Sequence, residues 1–305
     1  MSAPIDNVDC LEMPDGTWAF TDGAHFWLHR PTPLQGLAFT TSLRPVASAG
    51  HTQQLLAAAL AAGVARNRRG GSGPSEKPSL PRYIYALAGN YHTTQATPFT
   101  MRRVGTRLRN RGDGTLARYC EEVADEETGH DRLVLEDLEA LGIRANAFVS
   151  DVRPRGAMEL LALIRELADG SAPVAVLGCA YALERLALLI SRAAVDAVEA
   201  IVPPGAMATR GLRLHSAIGA DARHVARSID IIARLPPADR IAVVRAAYET
   251  AALVSAPTDY PGDDAVDELV ARHARRVSIP VPRPRLKESL SWSAPTKTSK
   301  LRAPG

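Results

Sequence analysis

Apolar positions in this chain recur three and four residues apart over long stretches, the spacing of helices that bury one face. The clearest run is 117–142, ARYCEEVADEETGHDRLVLEDLEALG. There Tyr119, Cys120, Val123, Leu133, Val134, Leu138 and Leu141 keep the period, and Gly142 closes it. The same pattern predicts helices over 51–66, capped by Thr52, over 81–95, and over 98–110, opened by Pro98. A helix from Ser150 or Asp151 to 167 carries Pro154 in its first turn, a favoured place for proline. Further helices are predicted over 173–193, 209–235, 238–254 and 263–276. The run VAVLGCAYALERLALLIS is apolar nearly all round, which marks a central helix. Residues 1–50 differ: GTWAFTDGAHFWLHRP mixes aromatics with Asp-Gly turns and reads as a hairpin or irregular arm. RNRRGGSGPSEKPSLP, 67–82, is a breaker-rich loop expected to move. Residues 51–277 form the helical body, and 278–305, rich in Pro, Lys and Ser, form a disordered tail.

Three of these helices place polar groups inside the apolar pattern. Glu127 and His130 are three apart and share a face of a continuous helix. Glu184 stands in the most apolar run, where a carboxylate must be paired, protonated or metal-bound. Its ordinary partner would be Arg185 or an arginine from another helix. Asp221 and His224 repeat the three-residue spacing. An acid-rich helix is usually a solvated face, and Glu126, Glu136 and Glu139 read that way. Convergence from three helices sets the other groups apart. Glu/His pairs with added carboxylates inside a bundle are the di-iron or di-manganese pattern. Carboxylates hold and bridge Fe(II) and Fe(III), and imidazole suits iron as well. Zinc would take a more compact nitrogen and sulfur set.

Composition narrows the classes. Hydrophobic content of 46% and charged content of 23% over 305 residues are ordinary for a globular protein, and 5% aromatics favours helices over strands. A net charge of +3 is too mild to imply a nucleic-acid partner. Three cysteines without CxxC spacing argue against disulfides and fit a reducing compartment. The first residues carry no secretory signal and no run of about 18 apolar residues exists, so a cytoplasmic chain without a membrane span is expected. Arg102, Arg103, Arg107, Arg109 and Arg111 either keep a surface helix soluble or meet an anionic substrate. His25 and His29 read as packing or surface residues.

EETGHDRLVLEDLEALG, LGCAYALE and LHSAIGADARHV follow the order and approximate spacing of the haem-oxygenase-like non-haem iron oxidases, which the chain resembles over about 53–276. These are iron-containing redox enzymes related in fold to PqqC and TenA. The resemblance implies an all-α haem-oxygenase-like bundle and two irons, Fe(II) or Fe(III). It also implies O2-dependent oxidation of a small amino-acid-like or fatty-acid-like metabolite in specialised biosynthesis. Glu127 and His130 match the first ligand pair, Glu184 the middle carboxylate, and Asp221 and His224 the last pair. The family commonly has a histidine four residues before that aspartate, where this chain has Ala217. His215 lies two residues further back, about 240° around a regular helix from Asp221. It is a ligand if a π-bulge near Gly219 turns it inward, and a core histidine otherwise. His92 is a candidate for the pocket wall. The expected partners are a small-molecule substrate and O2, with room for an electron donor and a homodimer.

Two other classes compete. A metal-free enzyme of the same fold would use the acids and histidines for proton transfer, with Cys120 or Cys179 taking part. Haem ligated by His130 or His215 is a less favoured alternative, and a Soret band would reveal it. A non-enzymatic, Arg-rich binding module would instead have Glu184 and Asp221 salt-bridged to arginine.

Overall fold

The computed structural model describes residues 8–31, 39–68, 78–216, 222–257 and 259–275. The sequence opens with an antiparallel meander, β1 (Asp9–Glu12), β2 (Trp18–Thr21) and β3 (Phe26–His29), in the order β1-β2-β3 with Leu11 opposite Ala19 and Phe20 opposite Trp27. The Asp15-Gly16 and Asp22-Gly23 turns separate the strands. Leu11, Met13 and Ala19 are buried and join the main core, so the arm is part of the body's packing.

α1 (Ala49–Arg68) starts earlier than its period suggests. Ser48, not Thr52, caps it: Ser48 Oγ accepts from the His51 amide at 3.2 Å, and Thr52 Oγ1 donates back to the Ser48 carbonyl. α2 (Leu80–Asn110) runs unbroken through Pro98, where two helices were expected. Its ends explain this. Ile84 and Leu87 pack with Val134, Leu138, Phe148 and Val266 in one apolar cluster. Met101, Val104 and Leu108 pack in a second, larger one with Leu56, Tyr119, Tyr181 and Tyr248. Burial of about 1.5–3 kcal/mol for each large side chain outweighs the one backbone hydrogen bond that proline removes.

Several of the remaining predicted runs are divided into shorter helices. The 117–142 run is α3 (Gly114–Glu126) and α4 (His130–Ala140). Then come α5 (Ala145–Asp151) and α6 (Arg155–Asp169), with Pro154 at the N-cap of α6 and an extended Val152 before it. The 173–193 run is a single 3-10 turn, Pro173–Ala175, leading into α7 (Val176–Ala187). α8 (Arg192–Glu199) begins separately, capped by Ser191 Oγ on the Ala194 amide. The 209–235 run divides into α9 (Arg210–His215) and α10 (Ala222–Ala233). α11 (Pro237–Val254) and α12 (Asp263–His273) follow expectation closely.

α11 is central. A Cβ at Gly178 of α7 would overlap the Val243 carbonyl, and one at Gly63 of α1 would lie 2.9 Å from the Ala251 Cβ. Glycine at both crossings lets three helix backbones meet. At the far end, the Arg144 amide donates to His273 O at 2.8 Å and the Arg275 amide to Gly142 O at 2.8 Å, tying the last described residues to the α4–α5 turn. Of the loop expected over 67–82, residues 67–68 instead end α1 and 80–82 open α2, while 69–77 lie outside the described residues, as does the whole tail expected over 278–305. Among the described residues no single helix is long and apolar enough to cross a membrane.

Candidate metal centre

The chain passes from the larger apolar cluster to the smaller one at the α3–α4 break, and the first half of the site is built there. α3 buries Tyr119, Cys120 and Val123 in the first cluster, and α4 buries Val134 and Leu138 in the second. Each half keeps the helical period, which is why the sequence reads as one helix. Glu127 caps the end of α3, Gly129 turns the chain at φ +94°, and His130 opens α4. Glycine takes that backbone conformation without a Cβ clash. Glu127 and His130 therefore sit on two sides of a turn rather than on one helix face. His130 Nδ1 donates to Glu127 Oε2 at 2.9 Å.

α9 brings the third group. Its last residue, His215, sits with its ring centroid 5.0 Å from that of His130, the planes at 74°. On a regular helix to Asp221, His215 would need a π-bulge near Gly219 to turn inward. The backbone instead leaves helical geometry at Ser216, ψ 172°, so that helical phase does not apply. One donor atom each from Glu127, His130 and His215 lie within 4.8 Å of one another.

α7 adds Glu184. Its Oε2 is buried and has no hydrogen-bond partner among the described residues, so the expected arginine pairing is absent there. Burial, then the charges of Glu127 and Glu126, push its carboxyl up to about 7. Burial also raises the Glu127 carboxyl, but the His130 hydrogen bond and the nearby His130, His215 and His224 charges outweigh it, leaving Glu127 below the usual range. The bond to Glu127 holds His130 above the ordinary imidazole value, whereas burial pushes His215 below it.

These groups line a cavity of about 320 Å³, together with Ala187, Leu188, Leu214 and Val225. His224 of α10 lines it as well, its Nε2 3.7 Å from Glu126 Oε2. Glu126 is exposed, as a solvated acid should be, and it also borders the cavity, 3.8 Å from Arg227 Nη1. Its place next to Glu127, at the end of α3, was the available signal. Asp221 lies outside the described residues.

Other candidates have different places. His92 is not part of this wall; its Nε2–H donates to the Val152 carbonyl at 3.0 Å. Cys120 and Cys179 are buried and their thiols are pushed up to about 12, so neither offers a thiolate near neutrality. The α2 arginines meet protein groups. Arg102 pairs with Asp125 at 2.9 Å, Arg103 with Asp169 at 2.5 Å and Arg109 with Glu121 at 2.7 Å. Arg107 and Arg111 donate to carbonyls at the end of α6 and just beyond.

The donor chemistry fits iron. Two imidazoles and a carboxylate are a set used by non-haem Fe(II) oxygenases, and an orphaned buried carboxylate oxygen is satisfied by a cation.

No curated protein matches the chain. A solved domain of unknown function with a heme oxygenase-like fold from Shewanella denitrificans is similar at 18% identity, covering 72% of this chain and 88% of that one with a TM-score of 0.52. That likeness is one of fold. The family of iron-containing redox enzymes matches residues 85–255, the segment that holds Glu127, His130, Glu184, His215 and His224. Matched over more than half its length, this chain belongs to the iron-containing redox enzyme family, with a haem oxygenase-like fold.

Proposed function

We propose that the chain is an O2-dependent non-haem iron oxidase or oxygenase acting on a small metabolite. Glu127, His130 and His215 would hold one iron. Glu184, with His224 and Asp221, would hold a second, weaker one. Iron bound there would supply the redox chemistry with O2. The protein's own groups have separate tasks. The Glu127–His130 bond orients the ring, and these two groups would give up their shared proton in order to hold a metal. Burial holds His215 below the ordinary imidazole value, which favours the neutral ring that a metal would bind. Glu184, poised at about 7, can hold or release a proton at the cavity face.

Ala187, Leu188, Leu214 and Val225 exclude water and seat an apolar part of the substrate. A volume of about 320 Å³ is near the low end for ligand sites, which favours an amino-acid-like or short fatty-acid-like molecule over a polymer. No arginine or lysine is among the cavity's described lining residues, so a substrate carboxylate would turn to the metal. The observation that carries this reading is the gathering of Glu127, His130 and His215 donors within 4.8 Å. The test is O2 consumption by anaerobically Fe(II)-loaded protein, followed with an oxygen electrode. Uptake that depends on iron and is abolished in His215→Ala is expected. A chain that takes up no iron, or that turns over when stripped of metal, would overturn it.

A further inference from the structure

α4 carries a second polar group on the face that bears His130. Asp137 lies seven residues on, within about 20° of two full turns. It is fully buried. Its hydrogen bonds go to the start of α9: Oδ1 accepts from the Arg210 amide at 3.0 Å and Arg210 Nη1 at 3.2 Å, and Oδ2 from the Gly211 amide at 3.0 Å. α9 therefore runs back along α4, its first turn on Asp137 and its last residue, His215, on His130.

α9 has six residues, none of them fully buried and all but Arg213 half-buried. A helix that short does not stand by itself in water. Half-buried side chains anchor it only in part, and polar clamps add to its hold. Asp137 holds its first turn, and Glu199 of α8 accepts from Arg213 Nε at 2.6 Å and Thr209 Oγ1 at 3.0 Å. Tyr83 Oη donates to the Ala208 carbonyl just before it at 2.7 Å. Of these clamps, Asp137 is the one on the helix that also carries His130. It fixes the distance between the two imidazoles along one rigid segment.

We propose that Asp137 is a positioning residue for the metal centre: by holding the first turn of α9 against α4, it sets His215 beside His130. The proposal rests on the reading that His215 holds metal. A purely structural cap would lower stability without acting through His215.

The test is Co(II) titration of metal-free wild type, Asp137→Ala, Asp137→Asn, His215→Ala and the Asp137→Ala/His215→Ala double variant. Helix content is checked by circular dichroism, and coordinating imidazoles are counted from the hyperfine-shifted N–H resonances of the Co(II) form. Asp137→Ala should weaken Co(II) about 10- to 100-fold, as lost ligand support does elsewhere. It should also lose one imidazole resonance and add nothing to the loss already caused by His215→Ala. Asparagine, which keeps an acceptor oxygen, should restore part of both. If Asp137→Ala does not fold, the near-isosteric Asp137→Asn is read in the same cycle. Wild-type affinity with every resonance retained in the Asp137 variants, or losses that add in full, would overturn the proposal while leaving the metal reading intact. A wild type that binds no Co(II) would overturn both.

Discussion

Along α3, each acid inside the helix meets an arginine. Glu121 pairs with Arg109, Glu122 with Arg227 and Asp125 with Arg102, and Glu126 lies 3.8 Å from Arg227. One residue on, Glu127 meets an imidazole instead, and across the cavity Glu184 Oε2 meets no partner among the described residues. The first arrangement is mostly exposed and settles its own charge. The second is half-buried and leaves charge unsettled, with Glu184 carried to about 7 by burial and two neighbouring acids. A carboxylate with its own arginine holds helices together. Carboxylates gathered around histidines, without a fixed cation, form a place that a metal ion would complete.

Removing a cavity acid should have the largest effect. Glu184→Ala is expected to weaken binding of the second Fe(II) by at least about 100-fold, measured by anaerobic titration. In the wild type, affinity should fall as pH drops below about 7, because protons then compete at Glu184 and at His130, which is held above its ordinary value. An affinity flat from pH 8 to 6 would place the metal elsewhere.

The same acid should destabilise the metal-free protein. Glu184 is raised when folded, so as pH rises the unfolded chain releases this proton first and the folded state loses stability between about pH 4.5 and 7. Glu184→Gln should therefore stabilise metal-free protein by about 2–3 kcal/mol at pH 8, fading to nothing below about pH 4.5. Urea unfolding in EDTA across that range checks this. A difference independent of pH would mean that Glu184 has a partner in solution.

The arginine side of the comparison should answer more weakly and without metal. Arg107 donates to the Ala168 carbonyl and, at 2.9 Å, to the Gly170 carbonyl, so Arg107→Ala should cost about 1–2 kcal/mol in unfolding experiments. Arg102→Ala, which breaks an exposed pair, should change stability by no more than about 0.5 kcal/mol. Neither should shift Fe(II) affinity; a shift in either would erase the distinction between the two regions.

The sequence made the helical class legible because apolar period survives wherever a helix packs, and it pointed to residues that the fold brings together. Glu127, His130, Glu184, His215 and His224 line one cavity. The breaks were not legible. Gly129 reads as a tolerated glycine inside a periodic run, since α3 and α4 bury their apolar faces in different clusters without a lapse in spacing. Pro98 reads as a helix start, since nothing local says that packing at both ends carries α2 through it. The role of His215 stays open in the sequence for the same reason: its phase is counted along a helix that stops at that residue. Asp137 stood in the quoted motif without a task, because its partner is a helix N-terminus some seventy residues away, at Arg210 and Gly211. Local pattern reports what each segment buries; it does not report where two cores meet, and this site sits where they meet.

The most direct measurement is anaerobic Fe(II) titration of metal-free wild type beside Glu127→Ala, His215→Ala and Arg109→Ala. Saturable binding of one or two irons in wild type and Arg109→Ala, lost in Glu127→Ala and His215→Ala, is the expected result. No binding in the wild type, or binding that both cavity variants retain, would contradict an iron centre built from these groups.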